Sequence, residues 1–234
     1  MNQNRFIEEL KKINIELNDN QLEQLNKYYE LLVEWNEKFN LTNITDKEQV
    51  FLKHFYDSLT LSKVVDLKQE ESLCDIGTGA GFPGLVLKIV FPNLRVILVD
   101  SLNKRIEFLK EVIKELKLDN IEVYHDRAEE FAKSNIEKYD IVTARAVAHL
   151  SVLLEYSIPM VKINKYFIAM KANIDTEIEE SSNALEKLDS KIIKIDRFQL
   201  PIEESNRTII KVEKIKKTNK KYPRKNSEIK NKRL

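Results

Sequence analysis

The sequence predicts an α/β chain in which an open, mostly parallel sheet of seven strands ends in an antiparallel hairpin, behind an N-terminal cap of helices. Three observations carry this. No strand-like run precedes Ser72, and from there short apolar runs suited to buried strands alternate with runs of helical period. The last two strands have no helix between them, so they pair antiparallel. All four glycines of the 234 residues fall between Gly77 and Gly84, in one strand-to-helix loop.

In order, Phe6, Ile7, Leu10, Ile13 and Leu17 recur at helical spacing, and a second helix follows from Gln21 to Lys38 with Leu22, Leu25, Tyr28, Leu32 and Trp35 on one side. A third is expected from Lys47 to Val65. Ser72–Ile76 is the first strand, followed by Gly77-Thr78-Gly79-Ala80-Gly81-Phe82-Pro83-Gly84 and an apolar helix to Phe91. Glycines there allow a tight turn and close approach of backbone to a ligand, and Pro83 suits a first helical turn. Strands follow at Leu94–Asp100, Ile121–Tyr124, Tyr139–Ala144, Tyr166–Met170, Lys191–Leu200 and Arg207–Ile215. Helices are expected at Lys104–Leu116, His149–Pro159 and Asp175–Leu188. The organisation expected is a cap over 1–68, a ligand-binding α/β domain over 69–215 and a tail over 216–234.

Composition narrows the setting. The only cysteine, Cys74, excludes an internal disulfide and sits in the first strand as a buried thiol. No apolar run reaches membrane-span length and the N-terminus does not read as a signal peptide, so a cytoplasmic protein is expected. Three histidines without ligand spacing give no metal site. The formal charge of +1 conceals an asymmetry: residues 216–234 hold nine Lys or Arg and one Glu, a net +8, which leaves the body at −7. Such a tail does not bury enough surface to fold alone. It is either a solvated end or a strap along a phosphate backbone, with Tyr222 free to stack on a base.

The loop's ligand is constrained by Asp75. A carboxylate about 4 Å from a phosphate costs on the order of 4 kcal/mol at an effective dielectric near 20, more than the roughly 0.3–1 kcal/mol that a helix N-terminus returns. The third small residue of a dinucleotide fingerprint is also replaced by Phe82. A cationic ligand such as S-adenosylmethionine turns the same carboxylate to advantage. Asp100 ends the second strand where a carboxylate meets a ribose diol, or else caps the helix near Asn103. Ala128 is small enough to admit an adenine edge. Arg145, at the end of the fourth strand, reaches a ligand carboxylate or the substrate. His54, Asp57 and Ser58 invite a hydrolase reading, but no oxyanion loop accompanies them.

The set Asn40-Leu41-Thr42, His54-x-x-Asp57-Ser58-Leu59, Asp75-x-Gly77-Thr78-Gly79-Ala80-Gly81-Phe82-Pro83-Gly84, Asp100-Ser101-x-x-Lys104-Arg105, Arg127-Ala128-Glu129, Ala144-Arg145-Ala146 and Met170-Lys171 resembles the bacterial small-subunit ribosomal RNA guanine-N(7) methyltransferase family, also known as glucose-inhibited division protein B. The resemblance covers nearly the whole chain. Ala172 stands where the family usually has glycine, and no Pro-Gly follows Arg224-Lys225. It implies a Rossmann-like class I methyltransferase fold, S-adenosyl-L-methionine as cofactor, and 16S ribosomal RNA in the small subunit or its assembly intermediate as partner. Gly77, Phe82, Asp100, Ser101, Leu102, Ala128, Glu129 and Arg145 match the family's cofactor-contacting positions. Asp75, Gly79 and Gly81 join them from the loop. Arg145 and Lys171 are the candidate catalytic residues. Arg207, Lys220, Lys221, Arg224 and Lys225, with Lys171, are expected against RNA. The acceptor nitrogen already presents a lone pair, so no general base is required and positioning and electrostatics carry the transfer. An RNA-binding assembly factor with a vestigial pocket, and a methyltransferase acting on a small molecule or protein, remain the alternatives.

Overall fold

The computed structural model describes residues 1–145, 148–172 and 174–234; Ala146, in the Ala144-Arg145-Ala146 motif, lies outside them. Two helices open the chain, α1 (Gln3–Lys12) and α2 (Asp19–Phe39). Asn18 starts α2 with a capping box, its side chain accepting from Gln21 N while the Gln21 side chain accepts from Asn18 N. Asn40, in the left-handed region at φ 47°, ends it.

The third helix, expected to reach Val65, is helical from Lys47 to Lys63 but not uniform. It runs as α3 (Lys47–Val50), a π-helical stretch Phe51–Tyr56, α4 (Asp57–Leu59) and a 3-10 turn Thr60–Lys63. π geometry inserts an extra residue per turn, which re-aims the side chains on either side of it. His54 and Asp57 both turn from there to Arg145, as described below.

The sheet comprises β1 (Ser72–Ile76), β2 (Arg95–Asp100), β3 (Ile121–His125), β4 (Tyr139–Arg145), β5 (Val161–Lys171), β6 (Ser190–Gln199) and β7 (Asn206–Lys214), in the order β3-β2-β1-β4-β5-β7-β6. The first five pair in parallel; β7 pairs antiparallel with both β5 and β6. Strand order reverses beside β1, where its neighbours β2 and β4 diverge, and a crevice opens at the C-terminal ends. Around the sheet lie α5 (Gly84–Val90), α6 (Asn103–Glu115), α7 (Ala128–Ser134), α8 (Leu150–Ser157), α9 (Asp175–Glu180) and α10 (Ser182–Lys187). The helix expected from Asp175 to Leu188 breaks at Ser181, whose hydroxyl bonds back to Glu177 O.

Successive residues of β1 feed opposite faces, as a fully buried strand must. Leu73 joins a core built on α1, α2, α5 and α6, while Cys74 and Ile76 join one built on α7 and α8. The N-terminal helices thus share their core with one face of the sheet. The tail corrects an expectation: it folds onto the body. Tyr222 is 5% exposed within the second core and Ile229 is buried on a last helix, α11 (Asn226–Asn231). The Tyr222 ring is consequently not free to stack on a base. No described helix is long and apolar enough to cross a membrane.

Candidate active site

The glycine loop is held by its neighbours. Gly77 N and Thr78 N donate to Val99 O of β2 at 2.8 and 3.1 Å. Asp75 is fully buried; its Oδ2 accepts from Thr78 Oγ1 at 2.6 Å and Gly84 N at 2.8 Å, while its Oδ1 is buried without a partner. Burial, only partly offset by those two hydrogen bonds, pushes its carboxyl up to about 7. Asp75 therefore fastens the loop through Oδ2 and keeps Oδ1 buried beside it.

The glycines divide by task. A Cβ on Gly81 (φ +100°) would lie 2.6 Å from the Tyr28 hydroxyl oxygen, and one on Gly84 2.9 Å from Asp75. Both are small because protein packs against them on that side. Gly79 (φ +62°) has no atom within 4 Å of where its Cβ would stand and leaves room for a ligand. Phe82 is 5% exposed and packs between Tyr28, at 5.6 Å between ring centroids, and His54, at 4.4 Å. It supports the site from beneath rather than lining the main cleft.

That cleft, about 760 Å³, lies over the carboxyl ends of β1 to β3 and includes Gly77, Asp100, Ser101, Leu102, Ala128 and Glu129 in its lining. Sequence reasoning placed all six there as ligand contacts. Asp100 is already engaged: Oδ2 accepts from Gly79 N at 2.9 Å and Arg105 at 3.1 Å, and Oδ1 from Leu102 N at 3.0 Å. Both of its sequence readings thus have a basis, since it lines the cleft and also bonds the backbone at the start of α6. Asp100, Asp126, Glu129 and Glu130 line the cleft together with Arg105, Arg127 and Lys230, and Arg105 is bonded directly to Asp100.

A second cleft, about 290 Å³, carries the opposite balance. Lys53, Arg145, Lys171 and Arg207 line it against a single carboxylate, Asp57. Arg145 lies here, not in the lining of the larger cleft. Its guanidinium donates to Lys53 O at 3.0 Å, Asp57 Oδ2 at 3.3 Å and His54 Nδ1 at 3.3 Å, and stands 5.1 Å over the Phe82 ring. Burial pulls Arg145 below the ordinary arginine range while Asp57 opposes the shift. Burial and Arg145 push His54 down to about 3, so its ring is neutral, accepting from Arg145 at Nδ1 and donating from Nε2 to Thr42 Oγ1 at 2.9 Å.

Two expected contacts are already paired. Lys171 donates to Ala148 O at 2.7 Å and to Glu177. Arg224 binds Glu155 in a fork at 2.8 and 2.7 Å, which ties its guanidinium to the body of the chain. Lys220, Lys221 and Lys225 are exposed. Sequence reasoning did not assign roles to Thr42, Tyr28 or Asn226. The Asn40-Leu41-Thr42 and His54-x-x-Asp57 motifs were the available signal, but only folding shows that they meet at Arg145. Among the described residues no group of three His, Cys, Asp or Glu could hold a metal.

Comparisons with known proteins bear on the family and the fold. The family model described as rRNA small subunit methyltransferase G matches residues 21–209. The chain belongs to that family. Its relatives include the Ribosomal RNA small subunit methyltransferase G of Bacillus licheniformis, 55% identical over 96% of this chain and 95% of the relative, and that of Bacillus subtilis, 52% identical with the same coverage. Among solved structures, a SAM-dependent methyltransferase from Aquifex aeolicus has a TM-score of 0.53 at 18% identity, covering 73% of this chain and 94% of that one. The mitomycin 7-O-methyltransferase MmcR reaches 0.59 at 15% identity, covering 80% and 60%. These likenesses place this methyltransferase G family chain on the class I methyltransferase fold expected from its sequence. The residues present fit S-adenosylmethionine: the cleft holds more carboxylates than cations, and Gly79 leaves open space at the loop.

Proposed function

We propose that the chain transfers the methyl group of S-adenosyl-L-methionine to N7 of a guanosine in 16S ribosomal RNA, acting in the cytoplasm on the small subunit or its assembly intermediate. The observation that carries this reading is the pairing of two clefts of opposite charge around one sheet end. The acidic one suits a sulfonium donor; the basic one suits a phosphate-bearing acceptor. Bound S-adenosylmethionine supplies an electrophilic methyl group.

The protein's own part is positioning. Gly77, Gly79 and the Asp100 carboxylate shape the donor side; Ser101, Leu102, Ala128 and Glu129 bound the rest of the cleft. Arg145, fixed by three acceptors, offers a rigid cation on the acceptor side, and Arg207 adds a second on the opposite face of Asp57. Nothing has to remove a proton from the attacking ring nitrogen, and a neutral His54 that already donates and accepts is consistent with the absence of base chemistry. Lys220, Lys221 and Lys225 are proposed to follow the RNA backbone, and Lys171 to assist Arg145 if it exchanges Glu177 for a phosphate.

Radiolabelled methyl transfer to naked 16S RNA, free small subunits and a total metabolite extract, followed by nucleoside analysis, tests this. The expected product is 7-methylguanosine in one of the RNA-containing samples. Label in metabolites or protein, with none in RNA, overturns it.

A further inference from the structure

The C-terminal helix reaches into the larger cleft. Asn226 and Lys230 of α11 line it together with Ala128, Glu129 and Tyr156. Four residues apart, the two share one face of the helix. From the S-adenosylmethionine reading of that cleft, on which this inference rests, we propose that α11 is the outer wall of the ligand site. In this arrangement Asn226, and Lys230 one turn on, donate hydrogen bonds to the adenosine portion of the ligand.

Three observations support it. First, the helix is fastened rather than draped. The Arg224 guanidinium forks onto the fully buried Glu155 of α8, the Arg224 backbone N–H donates to the same carboxylate at 2.9 Å, and Ile229 is buried. Second, the Asn226 amide is oriented: its Oδ1 accepts from the Tyr156 hydroxyl at 3.0 Å, which leaves Nδ2 as the outward donor. An adenine ring presents acceptor nitrogens that such a donor matches. Third, four carboxylates line this cleft beside Arg127 and an Arg105 already bonded to Asp100, and carboxylate acceptors do not bond to ring nitrogens or ribose ether oxygens. Asn226 and Lys230 bring donors from outside the sheet.

The test is calorimetric binding of S-adenosylhomocysteine to the full chain and to Asn226→Ala/Lys230→Ala, with Lys216→Ala as a control that removes a tail charge outside the cleft. Limited trypsin digestion of the unaltered chain with and without S-adenosylhomocysteine provides a measurement independent of any variant. The expected result is a loss of affinity of about fivefold or more in the double variant, no more than about twofold in Lys216→Ala, and slower cleavage at Lys225 and Lys230 when ligand is present. Equal affinity in all three proteins with unprotected cleavage overturns the inference and leaves the methyltransferase reading intact. So does an equal loss in Lys216→Ala, which marks bulk charge. If the unaltered chain takes up no S-adenosylhomocysteine, the underlying reading fails instead.

Discussion

Asp57 holds two arginines from two strands of the sheet: its Oδ2 lies 3.3 Å from Arg145 Nη1 and its Oδ1 3.0 Å from Arg207 Nε. Two guanidiniums this close repel, and the shared carboxylate between them, itself 5% exposed, permits the arrangement. Asp57→Asn keeps the shape and removes the charge. Breaking a buried ion pair by losing one partner costs about 3–5 kcal/mol, so a fall in melting temperature on the order of 10 °C is expected, together with slower methyl transfer. Thermal unfolding and single-turnover assays measure both. A melting temperature equal to that of the unaltered protein would remove Asp57 from this role.

Tyr28 bonds the Ala80 carbonyl and closes over Gly81. Gly81→Ala places a methyl against the hydroxyl at a backbone angle that favours glycine. Roughly 1–3 kcal/mol of destabilisation is expected, part of it recovered in Gly81→Ala/Tyr28→Phe where the clash is relieved. Denaturant titration of the two single variants and the double variant gives the coupling; strictly additive losses would mean the two do not meet.

Arg145 makes three separated hydrogen bonds from one planar guanidinium, a geometry that a compact lysine ammonium cannot reproduce. Arg145→Lys should lower turnover by about a hundredfold while S-adenosylhomocysteine affinity changes by less than about threefold. A variant that loses both equally would place Arg145 in ligand binding.

Two buried groups make opposing demands on pH. Asp75, raised from 3.8 to about 7, keeps a proton that the unfolded chain has lost, so its contribution to stability is greatest at low pH and decays as pH climbs across that range. His54, lowered from 6.5 to about 3, refuses a proton that the unfolded chain takes up, so its contribution is present above 6.5 and fades as pH falls toward 3. Between about 4 and 6.5 the two slopes oppose each other. Asp75→Asn should therefore lose stability on acidification through that window more steeply than the unaltered chain; parallel stability curves would show that Asp75 does not titrate there.

A cation bound at the loop favours ionised Asp75. S-adenosylmethionine binding near pH 6.5 should release protons, and S-adenosylhomocysteine, which lacks the sulfonium charge, fewer. Calorimetry in buffers of different ionisation enthalpy reads the difference. Identical proton release by the two ligands would show that Asp75 does not sense the sulfonium.

Much of the sheet was legible in the chain because each buried strand is a short apolar run between breakers, and the absence of a helix after Lys191 forced the hairpin. The glycine loop was legible as a binding loop, but not the division of its glycines, because the crowding at Gly81 comes from Tyr28, more than fifty residues earlier. Lys171 and Arg224 look like free cations in a sequence; only the fold brings Glu177 and Glu155 to them. The tail misled for a related reason. Its composition forbids folding alone, yet Tyr222 and Ile229 find apolar surface on a body already built. The π-helical stretch at Phe51–Tyr56 left no local signal, since the helical spacing on either side of it is ordinary.

Because Asn226 and Lys230 border a hollow whose other lining comes from residues 77–156, that hollow gains this side only after the β6–β7 hairpin has been synthesised. A frameshift or stop between that hairpin and Asn226 therefore keeps every strand of the sheet encoded while the chamber loses one of its sides.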